Sequence, residues 1–86
     1  MKDQNYKLML KKEPKVVITF HTTTEAMHME QTCKSHHADG RLIPVPRSIT
    51  AGCGLAWCAN PGSKAALLQL MEEQQIRYQA VHDCEV

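Results

Sequence analysis

This sequence predicts an α+β fold, a four-stranded antiparallel sheet with two helices on one face, and three observations carry the prediction. Residues 16–20 are five β-favouring residues in a row, followed at once by a Thr-x-x-Glu helix start. Residues 41–46 and 55–59 then form two short strand-like runs separated by a loop that contains Gly-Cys-Gly. Last, Asn60-Pro61 opens an apolar-periodic segment that leads into a final strand-like run. The resulting order is β-α-β-β-α-β, the order of the ferredoxin-like sandwich.

The elements follow in chain order. Residues 1–14 are polar, Lys-rich and aperiodic, and read as a flexible N-terminal tail ahead of a single domain over 15–86. The run 16–20 suits a strand covered on at least one face. Thr22 and Glu25 have the spacing of a capping box, and the helix they open places Ala26, Met29, Cys33 and His37 along one side until Asp39-Gly40 stops it. The second strand, 41–46, holds two prolines that cannot donate ladder hydrogen bonds, so it belongs at a sheet edge. Residues 47–53 form a loop and 55–59 the third strand. In the second helix Ala65, Leu68 and either Met71 or Glu72 follow helical spacing, with Leu67 and Leu70 widening the apolar face. A fourth strand is expected over 77–82 and a frayed end over 83–86.

Bulk properties exclude several classes. A chain of 86 residues makes one domain with a thin core, burying roughly 60% of its unfolded surface, and leaves little room for an enclosed substrate pocket. Its net charge of +1 supplies no basic footprint for nucleic acid and no attraction to an anionic membrane. No apolar run approaches the ~20 residues of a membrane span, and the N-terminus lacks a signal-peptide core. The expected location is therefore cytoplasmic, where four cysteines are free thiols rather than disulfides.

Among those thiols, Cys53 stands out. Gly52 and Gly54 remove side chains that would shield its sulfur and permit positive-φ conformations that converge backbone N–H groups. With Arg47 or Arg41 nearby, such a nest favours the thiolate. Cys58, five residues on, is a candidate resolving thiol, although an extended strand would separate the two by up to ~17 Å. A packed, inert Cys58 is the blander alternative. Cys33 belongs to the apolar side of the first helix, and Cys84 to the C-terminal end.

No metal site is expected. Cys33 and His37 share a face while His36 turns roughly 100° away, and no frame supplies three or four converging ligands. His21 and His82 either flank one sheet end or are solvated. Neither a dinucleotide fingerprint nor a P-loop is present, and no cofactor is implied.

From Val16 to His82 the sequence resembles the Se/S carrier protein-like family. The specific part is Arg41-Leu42-Ile43-Pro44-Val45-Pro46-Arg47-Ser48-Ile49 followed by Gly52-Cys53-Gly54-Leu55-Ala56. The resemblance implies a carrier whose Cys53 holds sulfur or selenium as a persulfide or perselenide. A cysteine desulfurase-like donor would load it and an acceptor enzyme would unload it. Such a carrier is a protein substrate in a relay, with no turnover of its own. The sequence departs from the pattern at Cys58, a thiol where a basic side chain is expected. The alternative function is a small interaction or regulatory module without covalent chemistry, since ferredoxin-like domains also dimerise or bind partners through sheet edges and faces. A thiol-redox protein using Cys53 and Cys58 is the third reading.

Overall fold

The computed structural model describes residues 13–49 and 53–86. Strand β1 (Pro14–Thr19) leads into helix α1 (Thr23–Ser35), strands β2 (Arg41–Pro44) and β3 (Leu55–Ala59), a 3-10 turn (Pro61–Ser63), helix α2 (Lys64–Glu73) and strand β4 (Ala80–Glu85). The sheet order is β2-β3-β1-β4 with every neighbouring pair antiparallel. This is the ferredoxin-like α+β arrangement that the element order predicts.

The sheet is packed on both faces, which explains the unbroken apolar run of β1. Val16, Ile18 and Phe20 join Ala26, Met29 and Cys33 of α1, Leu67 and Met71 of α2, and Trp57 of β3 in the helix-side core. Ile18, Phe20, Met29, Leu67 and Met71 are fully buried, each worth about 1.5–3 kcal/mol of transfer free energy. On the opposite face Val17, Ala56 and Cys58 form a smaller cluster, joined by Ile43, Val45, Ile49, Cys84 and Val86. The segment after β2 thus lies against the helix-free face, where it covers a sheet surface that would otherwise meet water.

Both ends of α1 have identifiable causes. Thr22 Oγ1 accepts a hydrogen bond from the Glu25 N–H at 3.2 Å, and Glu25 Oε1 accepts one from the His21 N–H at 3.1 Å. The expected capping pair therefore forms, with its return bond one residue upstream of Thr22. Asp39-Gly40 does not terminate the helix. It ends at Ser35, where His37 takes φ 55° and Ala38 donates back to the Cys33 carbonyl at 2.8 Å. His37 also donates to the Lys34 carbonyl at 3.3 Å, which completes a Schellman motif. Ala38 then packs on the helix-side core, so His37 is exposed rather than part of the apolar stripe. Helix α2 ends the same way at Gln75, with Ile76 donating to the Met71 carbonyl at 2.9 Å.

Other boundaries differ from expectation through pairing that local patterning does not reveal. Pro14 enters β1, and Glu13 exchanges hydrogen bonds with Val86 at 3.3 and 3.1 Å. Strand β4 is accordingly Ala80–Glu85 rather than 77–82, and residues 83–86 are held by β1 rather than frayed. Strand β2 stops at Pro44, on the sheet edge where its prolines are tolerated. In α2 the buried positions are Leu67 and Met71, while Ala65 is exposed. Asn60 precedes the 3-10 turn but makes no side-chain cap. Asp39 Oδ2 instead accepts from the Asn60 N–H at 2.8 Å and the Ser63 hydroxyl at 3.1 Å. The expected tail over 1–12 lies outside the described residues.

Candidate functional site

The turn that carries Cys53 is tied to the sheet by two strands. Pro44 and Leu55 are the last register pair of β2 and β3, and one step beyond them the Val45 N–H donates to the Gly54 carbonyl at 3.0 Å. Gly54 has φ +77°, a conformation that side chains rarely adopt. That reversal swings Cys53 toward the helix-side core, against which it packs half-buried. Because Thr19 of β1 pairs with Ala56, this is also the sheet end from which the chain leaves β1 for α1.

The sulfur has a defined hydrogen-bonding partner. The Leu55 N–H donates to Cys53 Sγ at 3.4 Å, and the thiol donates to the Leu55 carbonyl at 3.4 Å. The sequence pointed to a glycine nest here. The described donor is Leu55, two residues on and already in β3, and a glycine pattern does not reveal a partner of that kind. Arg47 is exposed in the turn closed by the Ile49 N–H to Pro46 carbonyl bond at 3.0 Å. Among the described residues it makes neither an ion pair nor a hydrogen bond with Cys53. Gly52 lies outside the described residues.

All four thiols are free, in distinct surroundings. Cys33 is 1% exposed in the helix-side core, and burial pushes its thiol up to about 11. Cys58 sits in the opposite cluster, because side chains alternate along β3 and place Trp57 and Ala59 with the helices and Ala56 and Cys58 away from them. Burial raises its thiol, partly offset by the charges of Lys15 and Arg41. Cys84 belongs to β4 rather than to a loose end, and burial followed by Cys58 and Asp83 raises it.

Cys53 and Cys58 therefore pack on opposite faces of the sheet. A disulfide between them would require one to leave its cluster and cross the sheet plane. His21 is exposed beyond the end of β1, whereas His82 pairs with Val17 in mid-sheet, so the two do not share an end. Among the described residues no group of three or more His, Cys, Asp or Glu converges as metal ligands would. No described helix is long and apolar enough to cross a membrane.

Residues 15–83 match the family described as "Putative Se/S carrier protein-like". The match spans every element from β1 into β4, including the Cys53 turn. No curated protein and no solved structure gives a significant match to the chain.

Proposed function

We propose, since the chain belongs to the Se/S carrier protein-like family, that it carries sulfur or selenium covalently on Cys53 between a donor and an acceptor protein. The observation that carries this reading is the placement of Cys53. It is a half-buried thiol on a glycine turn at a sheet end, with a backbone N–H directed at its sulfur. The other three thiols lie in a helix or strand, two of them buried.

In the loading step the Cys53 sulfur attacks the outer sulfur of a donor persulfide, of the kind a cysteine desulfurase bears. The donor's S–S bond breaks, its cysteine leaves as a thiolate, and Cys53 holds the persulfide. An acceptor nucleophile then takes the outer sulfur and returns the Cys53 thiolate, so no net oxidation occurs. Selenium follows the same path as a perselenide. The Leu55 N–H that is directed at Sγ supports the thiolate that makes this attack. The packing of the sulfur against the helix-side core limits the directions of approach. Reduced thiols suit a relay of this kind operating in the cytoplasm. The opposite-face placement of Cys58 favours a Cys53 that acts alone.

Intact-mass spectrometry after incubation with a cysteine desulfurase and cysteine, and separately with the desulfurase and selenocysteine, tests the proposal. The expected result is labile addition of one sulfur or selenium atom, mapped to Cys53 and absent in Cys53→Ser. A Cys53 that reacts with a thiol label yet takes up no chalcogen from either source would sink it. The chain would then be better read as an interaction module.

A further inference from the structure

The end of the sheet opposite the Cys53 turn holds a separate open cavity of about 250 Å3 on the helix-free face. Register assembles it. Arg41 of β2 pairs directly with Cys58 of β3, and Lys15 of β1 lies diagonally across, next to Asn60. Cys58 thus forms the floor, 8% exposed, between two cations contributed by the two flanking strands. The charges of both are felt at its sulfur.

The polar groups around this floor are unevenly engaged. The Lys15 ammonium donates to Asn60 Oδ1 at 2.7 Å and lies 3.6 Å from a Glu13 carboxylate oxygen. That bond occupies the acceptor of the Asn60 amide and leaves its NH2 group to donate elsewhere. The one carboxylate lining the cavity, Asp39, uses Oδ2 for the Asn60 N–H and the Ser63 hydroxyl. Arg41 has neither an ion pair nor a side-chain hydrogen bond among the described residues, and its guanidinium presents five donors in a fixed fork. An ammonium, an amide NH2 and an unengaged guanidinium around one small cavity match a small anion with several acceptor oxygens.

We infer that the cavity between Arg41, Lys15 and Asn60 above Cys58 is a binding site for a small oxyanion group, either a carboxylate or the oxyanion of a sulfur or selenium acid. The site lies on the other sheet face from Cys53 and does not depend on the carrier reading. Arg41 supplies the main charge-assisted contact, and Lys15 adds charge while holding the Asn60 amide in place. Asp39 opposes the anion electrostatically but sets the backbone of Asn60, which keeps affinity modest.

Two-dimensional 1H–15N NMR of the full chain tests the site, with sodium sulfate and sodium acetate titrated separately at ionic strength balanced by chloride. Saturable shifts centred on the amides of Gly40, Arg41 and Asn60 are expected. Arg41→Gln should weaken binding about tenfold or more while keeping the wild-type spectrum elsewhere, as one lost charge-assisted contact would. Lys15→Gln is the second variant, should Arg41→Gln fail to fold, and should also weaken binding. Saturation by sulfate alone assigns an inorganic oxyanion, saturation by acetate alone a carboxylate, and saturation by both the shared chemistry. Shifts that grow without saturating for both anions, or that persist unchanged in a folded Arg41→Gln or Lys15→Gln variant, overturn the inference.

Discussion

Replacing Gly40 by alanine should remove a large part of this domain's stability. The residue sits at φ +117°, a backbone conformation essentially reserved for glycine, with a cost of about 1–3 kcal/mol for any other residue. A Cβ there would overlap the indole Nε1 of Trp57 and lie 2.7 Å from the Cys58 carbonyl oxygen and 2.8 Å from Trp57 Cε2. The indole must move to clear its two contacts, and the Cys58 carbonyl contact is relieved only by a shift of the backbone itself. The indole is 3% exposed, and its N–H donates to the Asp39 carbonyl at 3.0 Å. Overpacking costs about 1–3 kcal/mol and the lost hydrogen bond about 1 kcal/mol more.

The sum is about 3–7 kcal/mol, against a total of roughly 4–13 kcal/mol expected for a domain of this size. Urea unfolding followed by far-UV circular dichroism and by the fluorescence of Trp57, the single tryptophan, measures it. With a slope of about 1–2 kcal/mol/M, the midpoint should fall by more than ~1.5 M. Gly62→Ala is the control, because a Cβ there meets nothing within 4 Å and its φ is not positive. That change should be neutral or stabilise by up to about 1 kcal/mol. A Gly40→Ala midpoint within ~0.5 M of wild type would show that the indole relaxes freely and refute the argument.

Two further predictions concern the helix-side core and the end of α1. Burial holds the Cys33 thiol protonated up to about 11 against an ordinary 9.0, so above pH 9 the unfolded chain releases this proton first. Stability from the neutral thiol is fully present below pH 9 and lost as pH rises through 11, about 3 kcal/mol in all. Denaturation curves from pH 8 to 11 should fall more steeply for wild type than for Cys33→Ala; parallel curves would contradict the assigned cause. Separately, His37→Gly should relieve a non-glycine residue at φ 55° and raise stability by about 1 kcal/mol, read as a higher urea midpoint. A lower midpoint would mean that the imidazole makes a stabilising contact.

How far local sequence reached can be judged from particular residues. The run at 16–20 reads as a buried strand because β-branched and aromatic side chains have few other stable uses in so short a stretch. Thr22 and Glu25 mark a helix start because capping operates across three residues. The Arg41–Pro46 and Gly52–Cys53–Gly54 signature led to the family that the match over 15–83 bears out. Each of these signals is confined to neighbouring residues, so the chain displays it without folding.

The missed features all depend on partners distant in sequence. The end of α1 is set by Ala38 packing on the core rather than by the nearest glycine. Strand β4 extends through Glu85 because β1 begins at Pro14, 71 positions away. Asp39 anchors Asn60 and Ser63 across 21 and 24 positions.

The chemistry divides along the same line. By itself the sequence determined the element order, the edge position of the proline-bearing strand and the candidacy of Cys53, since these follow from local propensity, backbone freedom and motif. Only the tertiary structure decided that Cys53 and Cys58 pack on opposite faces and that Arg41 and Lys15 flank the latter. Which side chains share a face depends on strand register, and register is set by burying both sides of β1 at once, a cooperative property of the folded sheet.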